Sequence, residues 1–378
     1  MAHAVARPRA AVPLALSDAA GCVLARPLVS PGPVPPVDRS AMDGYAVRGA
    51  GPWRIVGHVG ASCVAAFDLA DGEACSITTG AAVPGGTTSV LRDEDAERAG
   101  EWVRGPADSG RHIRRAGEEC QAGELVLPTG VVVDAPVLGL AASLGLDHLT
   151  VIPQPRVAVL ITGDELVQQG PSGPGRVRDA LAPMLPHLIT HTGAHLTTLQ
   201  HLPDTSTALL EALRTTHADV TFVCGGSAGG PADYLRRVLG EMGAEVVVDG
   251  VACRPGHPQV LARLGDGQVV VGLPGNPLAA LVAYLTLGVA VIRGMRGLEL
   301  PRLPVASIAG GVDCHPRSTR LVPVRVTGEG AVPVGHGGAA MLRGVAGADA
   351  LAVVDPGPAE AIAARLVPLD PGVRQWGG

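Results

Sequence analysis

The chain has no lysine; all 29 of its fixed cationic side chains are arginine. Aromatic rings are also scarce, with three Trp, three Tyr and two Phe in 378 residues. The formal net charge is −6, and no arginine-rich run interrupts it. Nucleic acid is therefore not an expected partner: there is no basic stripe to neutralise phosphates and no platform of rings for bases to stack on. The seven cysteines (22, 63, 75, 120, 224, 253 and 314) are scattered, with no CxxC pair. That excludes a zinc knuckle or a disulfide frame and suggests small buried apolar residues in a reducing compartment. No long apolar run occurs either. The longest, Leu278 to Ile292, is broken by Thr286 and Gly288 and falls short of a bilayer span. The first 13 residues lack an apolar core and place Arg7 and Arg9 beside prolines, unlike a signal peptide. A soluble, cytoplasmic protein without a membrane partner is expected.

Glycine (52) and proline (33) are what the chain has in excess, against a hydrophobic content of 47%. That balance describes a folded, loop-rich protein long enough for several domains. The glycines concentrate in a stretch from Asp219 to Pro277. There the apolar run Val220–Cys224 breaks into Gly225-Gly226-Ser227-Ala228-Gly229-Gly230, followed by a helical pattern from Tyr234. A second loop is Arg254-Pro255-Gly256-His257-Pro258. A third, Leu273-Pro274-Gly275-Asn276-Pro277, lies between Val269–Val271 and a long apolar helix. Strand, glycine turn and helix N-terminus in succession leave backbone N–H groups aimed at one place, the arrangement that phosphates favour. A single loop of this kind would be read as a tight turn; three in about sixty residues point to a phosphate-bearing ligand.

Around this stretch, strand and helix alternate. Strands are expected at 157–161, 196–202, 220–224 and 244–248, and helices at 180–192, 206–217, 234–242 and 276–294. Such alternation gives a mostly parallel sheet, whose ligands sit beyond the strand C-termini. Asp164, Glu165 and the Gly225–Gly230 loop all follow strands. Residues 53–127 read as short strands with frequent turns, and so do the runs after Pro301. Ser17-Asp18 is expected to cap a short helix through Leu24. The fold class is thus multidomain: a central α/β domain with a mostly parallel sheet, a β-rich second domain and a C-terminal β-barrel-like domain.

The cluster Ser40-Ala41-Met42-Asp43-Gly44-Tyr45-Ala46-Val47, with Thr79-Gly80-Ala81 and Thr162-Gly163-Asp164-Glu165-Leu166, resembles the molybdopterin molybdenumtransferase (molybdenum insertase) family, related to the E domain of gephyrin. Gly225-Gly226, Ala232-Asp233-Tyr234, Pro255-Gly256 and Leu273–Pro277 follow in that family's order, over nearly the whole chain. The resemblance implies four subdomains: a split linker domain (1–44 and 137–154), a β-rich domain (45–136), the α/β molybdopterin-binding domain (155–296) and a C-terminal β domain (300–378). It implies a homodimer whose site draws on both subunits, with a molybdopterin adenylyltransferase and apo-molybdoenzymes as candidate partners. The implied reaction inserts molybdate into adenylylated molybdopterin and releases AMP, with Mg²⁺.

On that resemblance the catalytic candidates are Asp43, Thr79, Glu165, Asp204 and Asp233. The Mg²⁺ candidates are the carboxylates Asp43, Glu165, Asp179, Asp204 and Asp233, since a hard cation takes oxygen ligands. Ligand-binding candidates are Gly225, Gly226, Ser227, Gly229, Gly230, Arg254, Pro255, Gly256, His257, Pro274, Gly275, Asn276 and Pro277.

The sequence departs from the family at the site itself. Arg254 and His257 stand where the family has lysines, Asp179-Ala180-Leu181 where it has Asp-Ser/Thr-Asn, and Ala228 where it has serine. A serine expected near Gly338 is absent. A second reading follows from these changes, a catalytically impaired relative that serves as a molybdopterin-binding or partner-binding scaffold.

Overall fold

The structure is a computed structural model that describes residues 1–226, 234–358 and 360–371. The chain forms two compact units. One holds residues 13–20 and 24–150; the other holds residues 1–12, 21–23 and the chain from Val151 on.

In the first unit, a six-stranded sheet contains β1 (Gly44–Val47), β2 (Trp53–Val59), β3 (Glu73–Ile77), β4 (Ser89–Arg92), β5 (Glu97–Ala99) and β6 (Trp102–Arg104), in the order β4-β1-β3-β2-β6-β5. Its strands are short and turn-bounded, as their glycine and proline spacing predicts. The expected helix after Ser17-Asp18 does not form. Gly21 takes φ +75°, Val23–Leu24 is a strand, and the Leu24 N–H goes to the Val131 carbonyl. Long-range pairing there overrides a local capping signal.

The second unit is built on a six-stranded sheet. Its elements are β7 (Arg156–Thr162), α1 (Leu181–His191), β8 (His195–Leu202), α2 (Ser206–Thr215), β9 (Val220–Cys224), α3 (Tyr234–Glu241), β10 (Glu245–Asp249), β11 (Val260–Arg263), β12 (Val269–Leu273) and α4 (Pro277–Met295). The strand order is β8-β7-β9-β12-β11-β10. The first four strands are parallel, and β11 runs antiparallel to both its neighbours. Val157 to Ile161 and Val220 to Val223 are at most 1% exposed, because a parallel sheet is covered on both faces. That is why these strands read as unbroken apolar runs.

Helix α4 is long and apolar enough to cross a membrane, yet it is 89% buried as the core helix of this unit. Its Tyr284 ring stacks at 5.2 Å on Phe222 of β9, and the Tyr284 hydroxyl shares a 2.8 Å hydrogen bond with Thr192. The chain then enters a closed five-stranded barrel: β13 (Val305–Asp313), β14 (Thr319–Thr327), β15 (Gly330–Pro333), β16 (Ala350–Val354) and β17 (Glu360–Pro368). The order is β14-β15-β13-β17-β16, with β16 pairing back onto β14. Of the seven cysteines, all free, five are buried as expected; Cys63 is exposed and Cys314 half-buried.

Candidate active site

The adjacent parallel strands β7, β9 and β12 end level with one another: Ile161 pairs with Cys224, and Cys224 with Leu273. Their following loops converge. At Gly225 (φ +90°) a Cβ would lie 2.8 Å from Thr162 Oγ1 and 3.0 Å from the Thr162 carbonyl, so only glycine fits. A Cβ on Gly275 would come within 3.8 Å of the Gly225 Cα. The Gly225 N–H donates to the Leu273 carbonyl. Thr162, Gly225 and Gly275 are thus close neighbours at the strand C-termini. Ser227, Gly229, Gly230 and Asp233, named above as candidates, lie outside the described residues.

One expectation about these strand ends needs correction. Asn276 stands at the N-cap of α4 and Pro277 opens it, as predicted. However, the next two amides do not point at an open anion site. Leu278 N–H and Ala279 N–H both donate to the Ala339 carbonyl, at 2.9 and 3.1 Å, and the Asn276 side chain makes no cap. A carbonyl from the barrel thus occupies the place where a phosphate was expected.

The acidic residues divide into two kinds. Asp164 and Asp204, in the loops after β7 and β8, grip each other's backbone: Asp164 N–H donates to Asp204 Oδ2 (3.2 Å) and Asp204 N–H to Asp164 Oδ1 (3.3 Å). The remaining oxygen of each has no hydrogen bond among the described residues. Glu165 beside them is exposed. Asp179 is different: it is 5% exposed, and its Oδ1 accepts from Leu181 N–H (2.8 Å) and Ala182 N–H (3.2 Å), holding the first turn of α1. Its Oδ2 accepts from His201 Nε2 at 2.8 Å. Moving Asp179 onto a metal would forfeit those bonds, about 1 kcal/mol for the cap and more for the charge-assisted partner. Burial, and then the nearby Asp179 charge, push the Cys224 thiol up. Among the described residues no group of three His, Cys, Asp or Glu could by itself hold a metal.

The Arg254–His257 turn lies against the barrel. Cys253–Arg254 forms a short strand parallel to β14, which sets Arg254 opposite Arg320. The two arginines line a cavity of about 910 Å³ together with Pro255, Gly256, His257, Pro274 and Asn276. Asp313 also lines it, and its carbonyl accepts from Arg320 Nη1. Neither Arg254, Arg317 nor Arg320 pairs with a carboxylate among the described residues. Partial desolvation, and then the guanidiniums of Arg254, Arg317 and Arg320, hold the His315 imidazole below its usual pKa. His257 Nδ1 donates to the Val251 carbonyl at 2.7 Å, which leaves Nε2 to meet a ligand. Beneath the turn, buried Gln259 accepts from the Thr286 hydroxyl (3.2 Å) and donates to Cys253 Sγ (3.3 Å). Thr286 lies in a π-helical turn of α4, Tyr284–Gly288, a feature common beside functional sites.

Asp43 and Thr79 belong to the other unit, where Asp43 Oδ1 accepts from the Thr79 N–H at 2.7 Å. The sequence reading missed His201, Gln259 and Ala339. Each acts across a long separation, and no local motif marks it.

Family models match the chain in three places: the MoeA N-terminal region (domain I and II) over residues 1–145, a probable molybdopterin binding domain over 158–294, and the MoeA C-terminal region (domain IV) over 309–367. The molybdopterin molybdenumtransferase 2 of Mycobacterium tuberculosis is 35% identical over 312 residues, 76% of each chain. The chain belongs to the molybdopterin molybdenumtransferase family. The molybdopterin molybdenumtransferase of Nostoc sp. is 32% identical over 75% of this chain and 69% of its own. In three dimensions, a molybdopterin biosynthesis MoeA protein from Pyrococcus horikoshii superposes with a TM-score of 0.78 at 26% identity, over 99% of this chain and 97% of that one.

Proposed function

We propose that this chain inserts molybdate into adenylylated molybdopterin and releases AMP, a step of molybdenum cofactor biosynthesis. The observation that carries the reading is the pair Arg254 and Arg320, set opposite each other by strand pairing, with neither in an ion pair among the described residues. Two like charges so placed favour a bound dianion. Molybdate is the substrate that fits; Arg254 and Arg320 would orient it, and His257 Nε2 would add a third donor when protonated. The Gly225-Gly226 turn, rather than the occupied start of α4, is where the pterin phosphate would approach backbone.

The carboxylate pair suits Mg²⁺. That ion keeps most of its waters and takes one or two carboxylates plus substrate phosphate, which suits the Asp164 and Asp204 oxygens that have no hydrogen bond among the described residues. Bound there, Mg²⁺ would neutralise charge on the phosphoanhydride. Glu165, exposed beside Asp164, would order its waters. Asp43 and Thr79, the four-subdomain division, the homodimer and the partner proteins belong to the same reading.

The test is AMP release from adenylylated molybdopterin by the purified protein with molybdate and Mg²⁺. Arg254→Gln and Arg320→Gln should each raise the half-saturating molybdate concentration by about tenfold or more. Tight ligand binding with no AMP released would support the scaffold reading instead.

A further inference from the structure

Asp179 is the most deeply buried acid at the strand ends among the described residues, and two chain segments are tied to it. Its own N–H donates to the Val167 carbonyl at 3.0 Å, within a short parallel pairing of Leu166–Val167 with Val177–Arg178. That pairing holds the segment that begins at Asp164, whose carbonyl also accepts from Arg176 Nη1 at 3.1 Å. Its side chain, through Oδ2, holds His201. His201 lies on β8 level with Ile161, and only buried Leu202 and the stiff Pro203 separate it from Asp204. The two segments joined at Asp179 therefore carry the two carboxylates that grip each other further out. The His201 side chain is 24% exposed, against 3% for Asp179.

We propose that the Asp179–His201 pair positions the Asp164–Asp204 carboxylates for a divalent cation, and that Asp179 is itself no metal ligand. His201 is a positioning residue: it acts through Asp204. Outer partners of this kind set where ligand oxygens stand, and losing one typically weakens metal affinity 10–100-fold. The inference rests on the reading that a divalent cation accompanies the phosphorylated ligand, and the test separates the two.

Two readouts are taken on the full chain: residue-resolved exchange of the Asp164 and Asp204 amides without metal, and titration with Mn²⁺ followed by electron paramagnetic resonance. His201→Leu should speed both amides and weaken Mn²⁺ by about tenfold, with the circular dichroism unchanged. His201→Gln places an N–H where Nε2 was and should restore both to within about threefold. Asp204→Asn should remove Mn²⁺ binding. If His201→Leu does not fold, His201→Thr, too short to reach Asp179, carries the same expectation. Unchanged amide exchange in the His201 variant overturns the proposal. So does loss of Mn²⁺ in Asp179→Asn as complete as in Asp204→Asn, with His201→Leu silent. If the wild-type chain takes no Mn²⁺ while His201→Leu still loosens the two amides, the cation reading fails and the positioning role stands.

Discussion

Position 257 shows how one residue type changes what a pocket does. Arg254, Arg317 and Arg320 keep their charge at any physiological pH. His315, partly desolvated and then crowded by those three guanidiniums, is held below an ordinary imidazole. The His257 imidazole has committed Nδ1 to the Val251 carbonyl, which leaves one ring nitrogen, whereas a lysine would bring an ammonium with three donors. His257→Lys should therefore lower the molybdate requirement several-fold. Molybdate titrations of AMP release check this; an unchanged requirement would remove His257 from the oxyanion's surroundings.

Among the elements, the sheet was legible and the ties between elements were not. Val220–Cys224 and Val269–Leu273 announced themselves as buried strands because both faces of the sheet are covered. Helix α1 forms within the expected residues: Pro183 falls in the first turn, where no N–H is needed, and the helix continues through Pro186 inside it. The glycine loops were also legible, because Gly225 must adopt a conformation closed to other residues. What the sequence could not show was who satisfies whom. Asp179 looked like a metal ligand, but the nearest unsatisfied donors were the amides of its own helix. The N-terminus of α4 looked open, but Ala339, sixty residues on, was its acceptor. Gln259 is a further case: Gln259→Leu would remove the link from Thr286 to Cys253, at a cost of about 1–2 kcal/mol. A few degrees off the thermal transition of the unit that holds Gln259 and a molybdate requirement raised several-fold are expected, since the turn carrying Arg254 rests on that link. A fall in that transition alone would mean that the turn is held by the barrel strand.

Over the whole molecule, the two units have separate cores: one centred on α4 and the parallel sheet, the other on the β1–β6 sheet around Ala46, Cys75 and Val90. Heat should unfold them in more than one step, so a single Tm would not describe the chain. Asp38 allows the steps to be assigned. Its carboxylate accepts from the Ala116 N–H (2.8 Å) and Arg115 Nη1 (2.6 Å), closing a long loop within the second core's unit. The backbone bond first, and the Arg115 guanidinium after it, hold its pKa below the usual carboxylate value against a smaller opposing effect of burial. A depressed carboxylate stabilises the fold above its unfolded pKa, near 3.9, and that stability is lost as the pH falls through the folded value. The groups are partly exposed, so the effect of Asp38→Asn at pH 7 should be modest, about 1 kcal/mol. It should shift one calorimetric transition by a few degrees and leave the other in place. The difference from wild type should close as the pH is taken below about 4. A shift in both transitions would show that the two cores unfold together.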